Sequence, residues 1–125
     1  MKNIINTEKA PKPIGPYNQA VQSGNTLYVS GQIPMNPAKA ELVKGDIKDQ
    51  TRQVMENLKA ILEAAGMDFS NVVKTSIFIS DMKNFPLINE VYGSYFTKDF
   101  PARETVQVAG LPLAVDVEIS CIAVK

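Results

Sequence analysis

The seven residues Val115 to Cys121 alternate apolar and polar side chains without a break. A period of two belongs to a strand with one buried face, and no helix can bury such a pattern. Val115, Val117, Ile119, Cys121 and Ala123 share one face, with Asp116, Glu118 and Ser120 on the other. A second segment, Pro101 to Val108, reads the same way, with Val106 and Val108 on one face and Arg103, Thr105 and Gln107 on the other. A sheet is therefore required. The pattern predicts that Arg103 and Glu118 stand on rigid strands, on the sheet face that does not build the core, and that these two residues carry the function.

The rest of the chain supplies the partners of this sheet. Residues 2–6 read as a short edge strand. Ala10 to Tyr17 holds three prolines and a glycine and reads as an ordered loop. Gln19 to Gln22 and Thr26 to Ser30 flank Ser23-Gly24-Asn25, a hairpin signal in which Gly24 and Asn25 supply positive φ angles. A helix runs from Asp46 or Asp49 to Ala65, on the stripe Val54, Leu58, Ile61, Leu62 and Ala65, and stops at Gly66. Val72 to Ser80 reads as a strand with Val73, Thr75, Ile77 and Ile79 inward. A second helix follows, capped by Asp81 or Asn84 with Pro86 in its first turn, on the stripe Ile88, Val91, Tyr92, Tyr95 and Phe96.

The order β-β-β-α-β-α-β-β, with one apolar stripe per helix, predicts an α+β two-layer sandwich. Both helices cover one face of a six-stranded sheet. The uncovered face is expected to carry Tyr28, Ser30, Lys74, Ser76, Phe78, Arg103, Thr105, Gln107, Glu118 and Ser120. Self-association through that face is the plain expectation. At 125 residues the chain is expected to form a single domain, residues 1–125.

Composition narrows the chemistry. Thirteen basic residues balance thirteen acidic ones, and no two Lys or Arg are adjacent, which argues against a nucleic-acid partner held by phosphate neutralisation. There is no histidine, so Ser-His-Asp and Cys-His catalysis and histidine metal sites are excluded. Cys121 is the only cysteine, so there is no intrachain disulfide and no thiolate metal site. The first nine residues contain no apolar leader core, and no stretch reaches membrane-spanning length. A cytoplasmic protein with no membrane association is expected. Catalysis must come from carboxylates, Arg, Lys, Tyr, hydroxyls, backbone amides and water.

Several segments, in order, carry a resemblance. They are Ala10-Pro11 with Ile14-Gly15-Pro16-Tyr17, Val29-Ser30-Gly31-Gln32-Ile33-Pro34, Gln50 through Leu58, Asn89-Glu90-Val91-Tyr92 with Tyr95-Phe96, Pro101-Ala102-Arg103, Leu111-Pro112 and Val117-Glu118-Ile119. Together they resemble the RidA/YjgF family of imine deaminases along nearly the whole chain. The resemblance implies a chorismate-mutase-like fold assembled as a homotrimer with clefts between subunits. It implies no metal and no organic cofactor. The implied reaction is hydrolysis of 2-aminoacrylate/2-iminopropanoate and 2-iminobutanoate to 2-keto acids and ammonia, a task of metabolite damage control in amino-acid metabolism. It also implies that the strand after the first helix inserts between the last two strands.

Each candidate has a bland reading beside the functional one. Arg103 offers a planar fork of donors for a substrate carboxylate; otherwise it is a surface ion pair. Glu118 can hold or deprotonate the attacking water; otherwise it is a solvated strand residue. Tyr17 walls the cleft or packs under its loop. Ser30 and Gly31 end a strand, where a glycine admits close backbone approach. The resemblance adds Phe85 and Asn89 as site-lining residues. Thr105 stands where many relatives have Cys, which excludes a thiol there and leaves a backbone contact. Lys39-Ala40 stands where many have Thr-Gly, so a different turn is expected near residue 40. Rival readings are a non-catalytic small-carboxylate-binding module, a ribonuclease or translation inhibitor, and a holdase using the open sheet face.

Overall fold

The computed structural model describes residues 2–125. Eight strands and two α-helices follow one another as β1 (Lys2–Ile5), β2 (Ala20–Ser23), β3 (Thr26–Gln32), β4 (Met35–Asn36), β5 (Glu41–Leu42), α1 (Ile47–Ala64), β6 (Val72–Ile79), α2 (Phe85–Gly93), β7 (Ala102–Gln107) and β8 (Val117–Val124). Six of the strands form one mixed sheet in the order β1-β2-β3-β8-β6-β7, and β4 and β5 pair as a small separate ribbon. The β6–β7 pair is parallel and the other pairs of the large sheet are antiparallel. The expected α+β sandwich is present, and β6 does insert between β7 and β8.

Local chemistry accounts for the element ends. The Asp46 carboxylate caps α1 by accepting from the Asp49 backbone N–H at 2.9 Å, and Gly66 leaves the helix at φ +73°. Val54, Met55, Leu58, Ile61 and Leu62 are buried along the inner face of α1. They pack with Leu27, Ile77, Ile79, Val117, Ile119 and Ile88 into one core. Each such side chain removed from water contributes roughly 1.5–3 kcal/mol. Asp81 caps a 3-10 turn over Met82–Asn84, and α2 begins directly after it with no side-chain cap at Asn84. Between β2 and β3 only Gly24 of the turn pair takes a positive φ, +59°.

Two face assignments differ from the alternation reading. In β6 the buried residue is Val72 and Val73 is exposed, because the register with β8 shifts between Val72 and Lys74. A bulge adds a residue to one strand and moves the inward parity by one position. The second difference is larger. Arg103, Thr105 and Gln107 of β7 pair with Thr75, Ile77 and Ile79 of β6, and these stand beside Cys121, Ile119 and Val117 of β8. Cross-strand neighbours share a face. Arg103, Thr105 and Gln107 therefore lie on the helix-covered face, not the open one. Val106 points to the open face and is 41% exposed. β7 is an edge strand, so its apolar residues need not be the core ones.

The turn near residue 40 accommodates its alanine by strain. Ala40 sits at φ +53°, a left-handed conformation that costs a residue with a Cβ roughly 1–2 kcal/mol. Replacing Ala40 by Gly is expected to raise stability by about 0.5–1 kcal/mol after allowance for the more flexible unfolded chain. Urea unfolding at constant m-value checks this, and a lower midpoint would contradict it.

Candidate functional site

The sequence-predicted residues form two groups on opposite faces of the sheet. The first is built around Arg103. Its Nη1 donates to Asn89 Oδ1 at 2.5 Å. Its guanidinium carbon lies 5.3 Å from the Phe85 ring centroid and 5.2 Å from that of Tyr92. Residues 85, 89 and 92 follow helical spacing, so α2 presents all three on one side toward the edge strand. A groove of about 400 Å³ adjoins them, lined by Asn89, Tyr92, Gly93, Phe100, Pro101 and Arg103. None of the ion pairs among the described residues involves Arg103.

The second group is built around Glu118. It lines a groove of about 370 Å³ with Ile14, Tyr17, Ser30, Gly31, Ile33 and Pro112. Ser30 is spent on structure: its hydroxyl donates to the Asn18 carbonyl at 2.6 Å and its N–H to the Gln19 carbonyl at 2.9 Å. These bonds tie the proline-rich loop to the end of β3 and so fix Tyr17 at the rim, where it is exposed. Buried Gln19 anchors the same loop through its side-chain amide, which donates to the carbonyls of Thr7, Ala10 and Pro11.

Gly31 leaves room for the Glu118 side chain: a Cβ built there would overlap the carboxylate, come within 2.7 Å of Cδ and push that side chain aside. The carboxylate thus lies against bare backbone. It is half-buried, and burial raises its pKa above the ordinary glutamate value because the charged form loses hydration. Glu118 makes no ion pair among the described residues. A carboxylate in this state is a stronger base than a solvated one.

Thr105 joins neither group through a contact of its own. Its hydroxyl is buried and has no hydrogen-bond partner among the described residues. Cys121 is buried, and its thiol is pushed up to about 12 by loss of hydration, which leaves it inert. Among the described residues no cluster of three or more acidic or Cys side chains is placed to hold a metal ion, and no helix is long and apolar enough to cross a membrane.

Sequence reasoning missed Tyr92, Phe100 and Pro112. Tyr92 falls on the apolar stripe of α2 and is buried, yet its ring also meets Arg103. The spacing of Phe85, Asn89 and Tyr92 along one side of the helix is the signal that points to it.

Comparison with known proteins gives consistent matches. The family model described as Endoribonuclease L-PSP matches residues 7–125. A RutC family protein of Pyrococcus horikoshii is 56% identical over 125 residues, covering 100% of this chain and 99% of that protein. The mouse protein named 2-iminobutanoate/2-iminopropanoate deaminase is 47% identical over 100% of this chain and 93% of its own. The crystal structure of YyfA, a Rid family protein of Yersinia pestis, superposes with a TM-score of 0.98 at 47% identity, covering all of both chains.

Burial of Glu118 has a cost that pH should reveal. Its folded pKa lies above its unfolded one, so the native state is favoured when the carboxyl is protonated. Stability is lost as pH rises from the ordinary glutamate value through the raised one. Glu118→Gln is therefore expected to melt above the wild type at about pH 7, with the gap closing near pH 4. Thermal melts across this range check it, and a variant that melts below the wild type at neutral pH would contradict it.

Proposed function

This chain belongs to the RidA/YjgF family, and from that premise we propose that it hydrolyses 2-imino acids, such as 2-iminopropanoate and 2-iminobutanoate, to 2-keto acids and ammonia. The observation that carries this reading is an arginine whose donor fork meets no acid among the described residues, combined with a half-buried glutamate that meets no base among them. The first suits a carboxylate and the second suits a water. The name of the mouse relative points to the same reaction.

The chemistry follows from the two groups. Arg103 grips the substrate carboxylate through paired N–H donors, with Asn89 steadying one of its nitrogens and Phe85 beside its guanidinium. Water held by Glu118 adds to the imine carbon as the carboxylate takes its proton. The protonated Glu118 carboxyl gives that proton to the imine nitrogen; the hydroxyl proton of the resulting carbinolamine then passes through the same carboxylate to the amino nitrogen as the C–N bond breaks, so that ammonia leaves and the carbonyl of the 2-keto acid forms. Tyr17 and the backbone at Gly31 border the water side, with Ser30 holding the loop in place. Thr105 stands two residues from Arg103 on the same side of β7, where its backbone could add a contact to the substrate carboxylate. Imines hydrolyse readily in water, so fixing the substrate and a water together is enough. No cofactor is needed for these steps.

Arg103 and Glu118 lie on opposite faces of one sheet, so one chain does not bring them to a single substrate. A homotrimer joining the arginine side of one copy to the glutamate side of the next would complete each site, and this assembly is part of the proposal. A second reading keeps the arginine fork and drops the chemistry, leaving a module that binds small carboxylates. Neutral net charge and the lack of histidine weigh against ribonuclease action, despite the description of the family model.

The test couples the protein to a threonine dehydratase and follows 2-ketobutanoate formation while free imine persists. Glu118→Gln should lower kcat by about 10²–10⁴-fold. Arg103→Ala should lower kcat/KM by about 10²-fold. The wild-type rate should fall as the medium is acidified, with a midpoint above the ordinary glutamate value, because Glu118 must be ionised to act. Keto-acid binding without acceleration of hydrolysis would favour the binding module. RNA cleavage that Arg103→Ala abolishes would favour the nuclease.

A further inference from the structure

Arg103 is exposed, on an edge strand, and has no acidic partner among the described residues. Such a side chain would ordinarily sample many rotamers, at a cost of up to about 2 kcal/mol when a ligand immobilises it. Among the described residues its side chain makes one hydrogen bond, to Asn89. What else holds it are two aromatic rings, Phe85 at 5.3 Å and Tyr92 at 5.2 Å. A ring attracts a guanidinium through its π face and occupies none of the in-plane N–H donors. A carboxylate neighbour would hold the cation as well but would fill the fork that the substrate needs.

The two rings are not equally fixed. Phe85 is half-buried at the start of α2. Tyr92 is 3% exposed and packs against the Phe96 ring at 5.0 Å. Its hydroxyl is hydrogen-bonded to Thr75 Oγ1 at 2.8 Å, inside the core. Thr75 is the residue of β6 that pairs directly with Arg103 of β7. One rung of the sheet therefore carries both the arginine and the anchor of the ring that meets it. The ring is locked to the same backbone from which the guanidinium extends.

Resting on the imine-hydrolase reading, we propose that Tyr92, tethered to Thr75, is a positioning residue that holds the Arg103 guanidinium with its donor fork open for the substrate carboxylate. It touches no substrate atom and acts through Arg103. The role of its hydroxyl is to fix the ring, and the role of the ring is to fix the cation.

The test uses substitutions that separate ring from anchor. Tyr92→Phe and Thr75→Val keep the ring and drop the tether, and each should raise KM and the Kd for 2-ketobutanoate about 2–4-fold. Tyr92→Leu removes the ring and should raise both about 5–30-fold, with a smaller change in kcat. Tyr92→Met fills the same core space without a π face and takes the place of Tyr92→Leu if that variant does not fold. In the ligand-free protein, ¹⁵N relaxation at Arg103 Nε should report an ordered group in the wild type, a somewhat looser one in Tyr92→Phe, and a mobile one in Tyr92→Leu or Tyr92→Met. A folded ring-less variant with wild-type KM and an ordered Nε would overturn the proposal. So would a lower kcat at constant KM, the mark of a merely structural role. The relaxation measurement separates the two claims: a wild type that hydrolyses no imine but whose Nε order depends on the ring refutes the reaction and upholds the positioning.

Discussion

The pairing of β6 with β7 on one side and β8 on the other decides where Arg103 and Glu118 point. Parallel register sets Arg103 beside Thr75, and antiparallel register sets Thr75 beside Cys121. The arginine therefore shares a face with a buried core residue and leans toward α2. Glu118 pairs with Phe78 and takes the opposite face. A slip of one residue in either ladder would exchange these faces. The strength of the arrangement comes from the core that the ladders bury, with Ile77, Ile79, Val117 and Ile119 all at 0% exposure. Rigid packing there sets the direction of both charged groups.

On each face the surroundings prepare one group for one task. Arg103 has no acidic partner among the described residues, and an amide oxygen and two aromatic faces stand against it. A protein with equal numbers of acidic and basic residues could readily have neutralised it. Glu118 is set against the Cα of Gly31 and deprived of water on that side. Both arrangements give up stability. An unpaired cation forgoes an ion pair, and a half-buried carboxylate forgoes hydration. Sites that handle charge often carry such costs.

Much of the architecture was legible from pattern alone. The strict alternation of Val115 to Cys121 and the stripe of α1 fixed two elements whose inward faces match the structure. Insertion of β6 between β7 and β8 was not legible from spacing and came from resemblance, because pairing of non-consecutive strands leaves no local signal. Parity failed at β6, where a bulge moved the inward position from Val73 to Val72, and at β7, where the apolar residues of an edge strand do not face the core. That second failure mattered most, since it turned a presumed shared face into two. Tyr17, Ser30, Gly31 and Glu118 come together as one groove, and Asn89 and Arg103 line another, with Phe85 beside the guanidinium. Tyr92 escaped notice because a buried aromatic on a helical stripe reads as packing, and here it packs and also meets the arginine.

The central claim is that the arginine half and the glutamate half act on one substrate although no single chain joins them. Arg103→Ala and Glu118→Gln chains, each inactive alone, can be unfolded together and refolded as a mixture. In a cyclic assembly with heterologous interfaces, about one site in four then has both groups intact, so roughly a quarter of wild-type imine hydrolysis should return. A mixture as inactive as either variant alone would contradict the account.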